Sequence, residues 1–203
     1  LWSLLRFDSD ASAAYLESAV ENSDLAVSLA PEAAWSLSAQ AFTKLATKQP
    51  QTAQRLSEKA VEIAPNDVHV AEFDALISLF SMDFDGVIAR YKNFSRDNAT
   101  DHGFVFDNAL GSAFFHTGEY ELSVNAFERG IANGGPFGPV AVAYLMAAHH
   151  MLNENEEAAQ LASQFMQTWP EARVDLLFQY VYLDDGPGQK LEAGMRGAGW
   201  KPK

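Results

Sequence analysis

Nearly the same phrase occurs twice in this chain, 34 residues apart. Residues 23–31 read SDLAVSLAP, and residues 57–65 read SEKAVEIAP, followed by Asn66 and Asp67. Small residues keep the same step around them: Ala19 and Ala53, Ala26 and Ala60, Ala41 and Ala75. A fixed period of this length, with small residues at fixed offsets, specifies paired helices stacked into a solenoid. One such pair cannot bury enough apolar area to offset its chain entropy, so three or more must stack. A solenoid offers surfaces rather than reaction centres, which already bounds the kind of work the chain can do.

The period continues. Asp83 to Tyr91 begins a third second-helix, with Val87 34 residues after Ala53. The fourth unit is the clearest: Leu110-Gly111, Phe114, Gly118-Glu119-Tyr120, Ser123, Phe127 and Gly130. A fifth follows 35 residues on, from Asn153 to Ala158, and closes at Trp169-Pro170. The step between the third and fourth is 36, which puts two inserted residues near Asn98 to Asp101.

These residues resemble the tetratricopeptide repeat, with its Leu-Gly pair, Gly-acid-Tyr turn and small-aromatic-small second helix. Residues 104–136 match nearly every element, and 34–67 match mainly in the second helix. Residues 68–100 and 139–170 are intermediate, and 1–31 match only in their second half. The resemblance implies an all-α, right-handed superhelix of about five helix pairs, with 171–203 as a C-terminal cap. Ala41, Ala75, Gly111, Ser123 and Ala158 would let helix axes approach closely, and Tyr91 and Phe127 would fill the space between units.

Composition fits one continuous domain. Of 203 residues 48% are hydrophobic, enough for a sizeable core, and no alternating strand pattern is present. Turn residues fall between helices instead: Pro31, Asn66-Asp67, Asp83, Asp101, Gly118, Gly134-Gly135-Pro136, Asn153 and Pro170. Asn155, before Glu156 and Glu157, reads as a helix cap. The net charge of −13 disfavours nucleic acid and anionic membranes as partners, and the acids are scattered, as on a solvated surface. The longest strongly apolar stretch, Val140 to Ala148, is too short to span a bilayer. No secretory signal stands at the start, so a cytoplasmic protein is expected. The chain opens at Leu1 rather than Met, which implies that upstream sequence has been removed.

Chemistry is scarce. Without cysteine there is no disulfide, thiolate metal site or cysteine nucleophile. The histidines His69, His102, His116, His149 and His150 form no metal motif, and no nucleophile elbow or phosphate loop appears. Of the adjacent pair, one of His149 and His150 should face the groove and the other the packing interface. Gly134 to Gly138 reads as a turn, and Asp184-Asp185 as a loop and cap. No cofactor, no metal and no enzymatic activity are expected of this segment.

Binding is the expectation instead. The resemblance implies that the first helices line a concave groove. Carried over, its positions are Trp35, Ser38, Phe42 and Leu45, then His69, Glu72, Leu76 and Phe80. They continue with Val105, Asn108, Ser112, Phe115 and His116, then Val140, Ala143, Ala147, His150 and Met151. Some of these would equally serve as core. Ser38, Glu72, Asn108 and Ala143 occupy a position that relatives binding acidic peptide tails fill with a base, which argues against such a ligand. The expected partner is a protein or peptide, in trans or in cis. A free-standing scaffold and a small-molecule sensor built on Asn108, His116 and His150 are the alternatives.

The end departs from the repeats. Residues 174–183 are apolar on nearly all sides and could cap the solenoid or pair with a second copy in a homodimer. The phrase LEAGMRGAGW at 191–200, with the opening from Trp2 to Phe7, is similar to repeat regions of bacterial signalling proteins. In those proteins the repeats follow a class III adenylate cyclase or a winged-helix domain. That similarity implies a regulatory module acting on an upstream effector.

Overall fold

The chain's computed structural model describes residues 9–97, 103–172, 182 and 185–202. These are helical throughout, with no strand among the described residues. In order the helices are α1 (Ser9–Leu29), α2 (Ala34–Ala46), α3 (Pro50–Ile63), α4 (Val68–Phe80), α5 (Phe84–Asp97), α6 (Phe104–Thr117), α7 (Tyr120–Ala132), α8 (Pro139–Met151), α9 (Asn155–Thr168) and α10 (Gly186–Gly197). The pairs α2/α3, α4/α5, α6/α7 and α8/α9 coincide with the repeats at 34–67, 68–100, 104–136 and 139–170. Ahead of them the 21-residue α1 stands as one helix, and α10 follows them. The opening from Trp2 to Phe7, the insertion at 98–101, His102, Asp184 and all of 174–183 except Tyr182 lie outside the described residues.

Every first helix ends in the same way. Lys48, Met82, Gly118 and Asn153 have φ of 60°, 64°, 91° and 63°, the left-handed region. Their positions repeat at 34, 36 and 35 residues, so the period is written in backbone conformation as well as side-chain size. The residue after each sends its N–H back into the last turn: Gln49 to Lys44 O, Asp83 to Ser78 O, Glu119 to Phe114 O and Glu154 to His149 O, at 2.8–3.0 Å. This closure satisfies carbonyls the helix end would otherwise leave open and reverses the chain in three residues.

Helix starts are more varied. Asp67 caps α4 by accepting from the N–H groups of His69 and Val70 at 2.9 and 3.1 Å, and Asp83 accepts from Gly86 at 3.0 Å. Asn155 does not cap α9; the N-cap is Glu154, which makes no side-chain cap bond. Its carboxylate turns instead to His149 Nδ1 at 2.6 Å.

Packing follows the small residues. Ala41, Ala75 and Ser123 are fully buried and Ala158 nearly so. A Cβ on Gly111 would sit 2.6 Å from the Phe127 ring, and Ser123 Oγ donates to Gly111 O at 2.7 Å across the same crossing. Phe127 is fully buried and stacks on Tyr144, with ring centroids 5.4 Å apart, while Tyr91 meets Phe106 edge-on at 5.4 Å. Two buried carboxylates pair with partly exposed arginines between helices. Asp74 accepts from Arg90 at 2.6 Å and Ser57 at 2.7 Å, and the fully buried Asp107 pairs with Arg129 at 2.6 Å.

Successive first helices touch: α2 on α4, α4 on α6, α6 on α8. The second helices α3, α5 and α7 each lie between two first helices and make no comparable contact with one another. The first helices are therefore the closely spaced inner layer, and their outward faces line the concave side.

In an isolated helix Gly111→Ala would gain about 1 kcal/mol from propensity. Here the clash with Phe127 outweighs it, and a net loss of about 1–3 kcal/mol is expected by denaturant unfolding. A stabilised Gly111→Ala protein would mean the α6–α7 crossing is not close.

Candidate functional site

The inner face divides into two halves. At the N-terminal half, Trp35 and His69 stand exposed and edge-to-face at 4.8 Å. Trp35 is 54% exposed, although its indole N–H donates to Asp67 at 3.0 Å. Burial alone would raise the Asp67 pKa, but the bonds from Trp35, Val70 and His69 outweigh it and hold the carboxyl below its usual range. Phe42 and Leu76 are half-buried, as is Phe73, which meets Phe42 at 6.0 Å. Phe73 was not among the sequence candidates, though it lies one helical turn before Leu76.

Glu72 belongs to the scaffold. It is 8% exposed, accepts from the Val105 N–H and from His69, and sits so close to Gly103 that a Cβ there would overlap its carboxylate. It thus satisfies the first turn of α6 from the neighbouring unit. Desolvation raises its pKa despite the His69 bond. Ser38 is buried with its Oγ unpartnered, and Leu45 is core.

At the C-terminal half the inner face is already filled, by the chain's own end. Tyr182 is 2% exposed and lies edge-on to Phe80 at 5.5 Å and to His116 at 5.8 Å. Its hydroxyl is hydrogen-bonded to Tyr144 at 3.0 Å, and its carbonyl accepts from Lys48 Nζ at 2.7 Å. Next comes α10, laid along α8. Leu191 and Met195 are fully buried. A Cβ on Gly194 would come within 2.7 Å of Ala147, and one on Gly197 would overlap the His150 ring. Lys190 donates to His116 O at 2.9 Å and lies 5.5 Å from the Phe115 and Tyr120 rings. Glycines in α10 are therefore what lets it approach α8 closely.

Phe80, Ser112 and Phe115 are consequently buried, Asn108, His116 and His150 half-buried, and Met151 exposed at 43%. His149 and His150 diverge as expected: the first turns to Glu154, the second to α10, where its Nδ1 has no partner. Beneath α10 runs a buried polar chain, His116 Nε2 to Tyr144 OH at 2.9 Å and on to Tyr182. Burial, with Lys190 nearby, lowers the His116 pKa to about 3; burial pushes Tyr144 to about 12 and raises Tyr182 well above its ordinary value. All three are held neutral. His116 also stacks on Phe84 at 4.6 Å. Two surface concavities, of about 460 and 270 Å³, lie elsewhere, one among α7, α8 and α9 and the other around Pro65 and Arg90; neither includes Asn108, His116 or His150.

Among the described residues no group of three or more His, Asp or Glu could hold a metal ion, and no helix is long and apolar enough to cross a membrane. No family model and no curated protein matches the chain. Among solved structures, it is similar to a chain in the crystal structure of the APC/C hetero-tetramer Cut9-Hcn1, at 14% identity and a TM-score of 0.44. The likeness covers 90% of this chain and 43% of that one, so this chain spans less than half the length of its structural neighbour.

The buried His116 gives a pH dependence of known sign. Its folded pKa, about 3, lies below the unfolded value near 6.5, so protons bind the unfolded chain first. Its contribution is fully present above pH 6.5 and is lost as pH falls towards 3, with a slope of at most about 1.4 kcal/mol per pH unit. His116→Gln is expected to flatten unfolding free energy against pH in that window. An unchanged slope would show that His116 is accessible to protons in the fold.

Proposed function

We propose that this chain is a protein-binding module that takes a peptide or partner helix on the inner face of its first helices, at the half lined by Trp35, Phe42, His69, Phe73 and Leu76. The observation that carries this reading is that the inner layer already holds polypeptide. Tyr182, 134 residues from Lys48, is clasped by an amine, a tyrosine hydroxyl and two aromatic rings, Phe80 and His116. A face that accepts an aromatic side chain and a backbone carbonyl from a distant segment offers what peptide recognition needs: apolar pockets with a few placed polar groups. Beside it the exposed Trp35 and half-buried Phe42, Phe73 and Leu76 continue the surface with no cover among the described residues.

In this reading the C-terminal segment fixes how much of the groove is available. The occupant comes from another protein or from a domain of the same polypeptide, in which case binding would bias that domain's activity. The most strongly perturbed groups, His116, Tyr144 and Tyr182, are sealed under α10 rather than opening on a cleft, so they lend no support to a catalytic role.

Panning a random library of peptides about twelve residues long against the full chain tests this. Selected peptides should lose at least about tenfold in affinity on Trp35→Ala and on Leu76→Asp, with circular dichroism unchanged, and nothing on Glu157→Ala. Peptides indifferent to both substitutions would sink the groove reading. Saturable binding of a metabolite, abolished by Asn108→Ala, would establish the sensor in its place.

A further inference from the structure

The outer layer of second helices carries an apolar groove with acidic walls. Helices α7 and α9 both pack on α8 and make no comparable contact with each other, which leaves a concavity of about 460 Å³ between them. That size lies within the roughly 300–1,000 Å³ of binding clefts. The groove lies inside the stack, and all three helices that form it are described from end to end. Its floor is apolar: Leu145 of α8 is buried, Ile131 and Leu161 are half-buried, and Phe137, in the turn before α8, is 41% exposed. Its walls carry Glu128 on α7 and Glu157 on α9, both exposed. Neither carboxylate has an ion-pair or hydrogen-bond partner among the described residues. No Lys or Arg lines the groove, and His149, which does, is bonded to Glu154 at 2.6 Å. From Gly118 to Thr168, Glu119, Glu121, Glu128, Glu154, Glu156 and Glu157 stand against a single base, Arg129. Arg129 is drawn onto the buried Asp107 at 2.6 Å.

We infer that this groove docks a segment of a partner protein in which Arg or Lys alternates with large aliphatic side chains. The aliphatic groups would cover Ile131, Leu161 and Phe137, and a guanidinium or ammonium lying over the floor would find a free carboxylate on either wall. A second copy is a poor occupant. It brings the same net charge of −13, and its Lys44, Lys48, Arg90, Lys190 and Arg196 are already bonded within the fold. Nucleic acid and anionic lipid carry the wrong sign. The groove shares no residue with the inner face at Trp35, Phe42, His69, Phe73 and Leu76, so the two surfaces can be tested apart.

Fluorescence anisotropy of labelled peptides about nine residues long, added to the full chain, tests this. The probes alternate Arg with Leu, Arg with Ser, and Glu with Leu. The Arg-Leu peptide is expected to bind saturably, the Arg-Ser peptide at least about tenfold more weakly, and the Glu-Leu peptide not at all. Diffuse attraction to an acidic protein would grow on Leu161→Asp, which adds an acid. The groove requires the opposite, a loss of at least about tenfold, and a loss of about threefold or more on Phe137→Ser, with circular dichroism unchanged. Glu128→Gln with Glu157→Gln should weaken binding at least about tenfold, whereas Glu17→Gln with Glu21→Gln, which removes as much charge, should not. Equal effects of the two pairs, or binding undiminished by both Leu161→Asp and Phe137→Ser, would overturn the inference. So would loss of binding on Trp35→Ala, which would move the peptide to the inner face. Displacement by micromolar spermidine would make the occupant a small polyamine instead, and a dimer by light scattering that Leu161→Asp abolishes would make it a second copy.

Discussion

The structure depends on one contact made again in each unit: a first helix and a second helix brought together over a residue no larger than serine. Where Gly111 meets Phe127 there is no room for even a methyl group, and the nearest second-helix hydroxyl, Ser123, bonds the glycine's own carbonyl. Close axes let the large rings do the filling, so Phe127 reaches past its own unit to stack on Tyr144 of the next. Small residues thus govern separation within a pair, and aromatics govern registry between pairs. The left-handed residue at each tight turn fixes the antiparallel geometry on which both depend.

Those contacts are local and periodic, which is why they were legible in the sequence. Ala41, Ala75, Gly111, Ser123 and Ala158 could be read as close-approach positions because each recurs at a fixed offset. The turns could be read for the same reason, although at Lys48 and Met82 the left-handed conformation is adopted by residues that do not announce it. What could not be read has no period. Glu72 looks like a groove residue by register, yet its carboxylate is committed to the start of α6, a partner 33 residues on that no repeat pattern encodes. Asp107 with Arg129 and Asp74 with Arg90 are likewise pairings between elements, specified by tertiary geometry alone. Asn155 does not act as a cap because the helix begins one residue earlier than the cap reading needs, with Glu154 at the N-cap and Asn155 already in the first turn.

The fate of the groove candidates follows from the same distinction. Register laid the candidates along the first helices but could not tell which of them the chain itself would cover. The phrase at 191–200 shows why. Leu191 and Met195 are fully buried, and Gly194 and Gly197 admit α8 at distances a Cβ would forbid. Packing against Ala147 and His150 is therefore a sufficient reason for that spacing of glycines, and the phrase need carry no information about an upstream effector.

Behind the last repeat the chain closes the stack itself. A stack of helix pairs leaves an apolar face at each end, and something must cover it. At the C-terminal end the cover is intramolecular: α10 crosses α8, Lys190 bonds the last turn of α6, and Tyr182 completes a neutral hydrogen-bonded chain with Tyr144 and His116. That closure seals groups whose charging is costly, so it is held by burial as much as by contact.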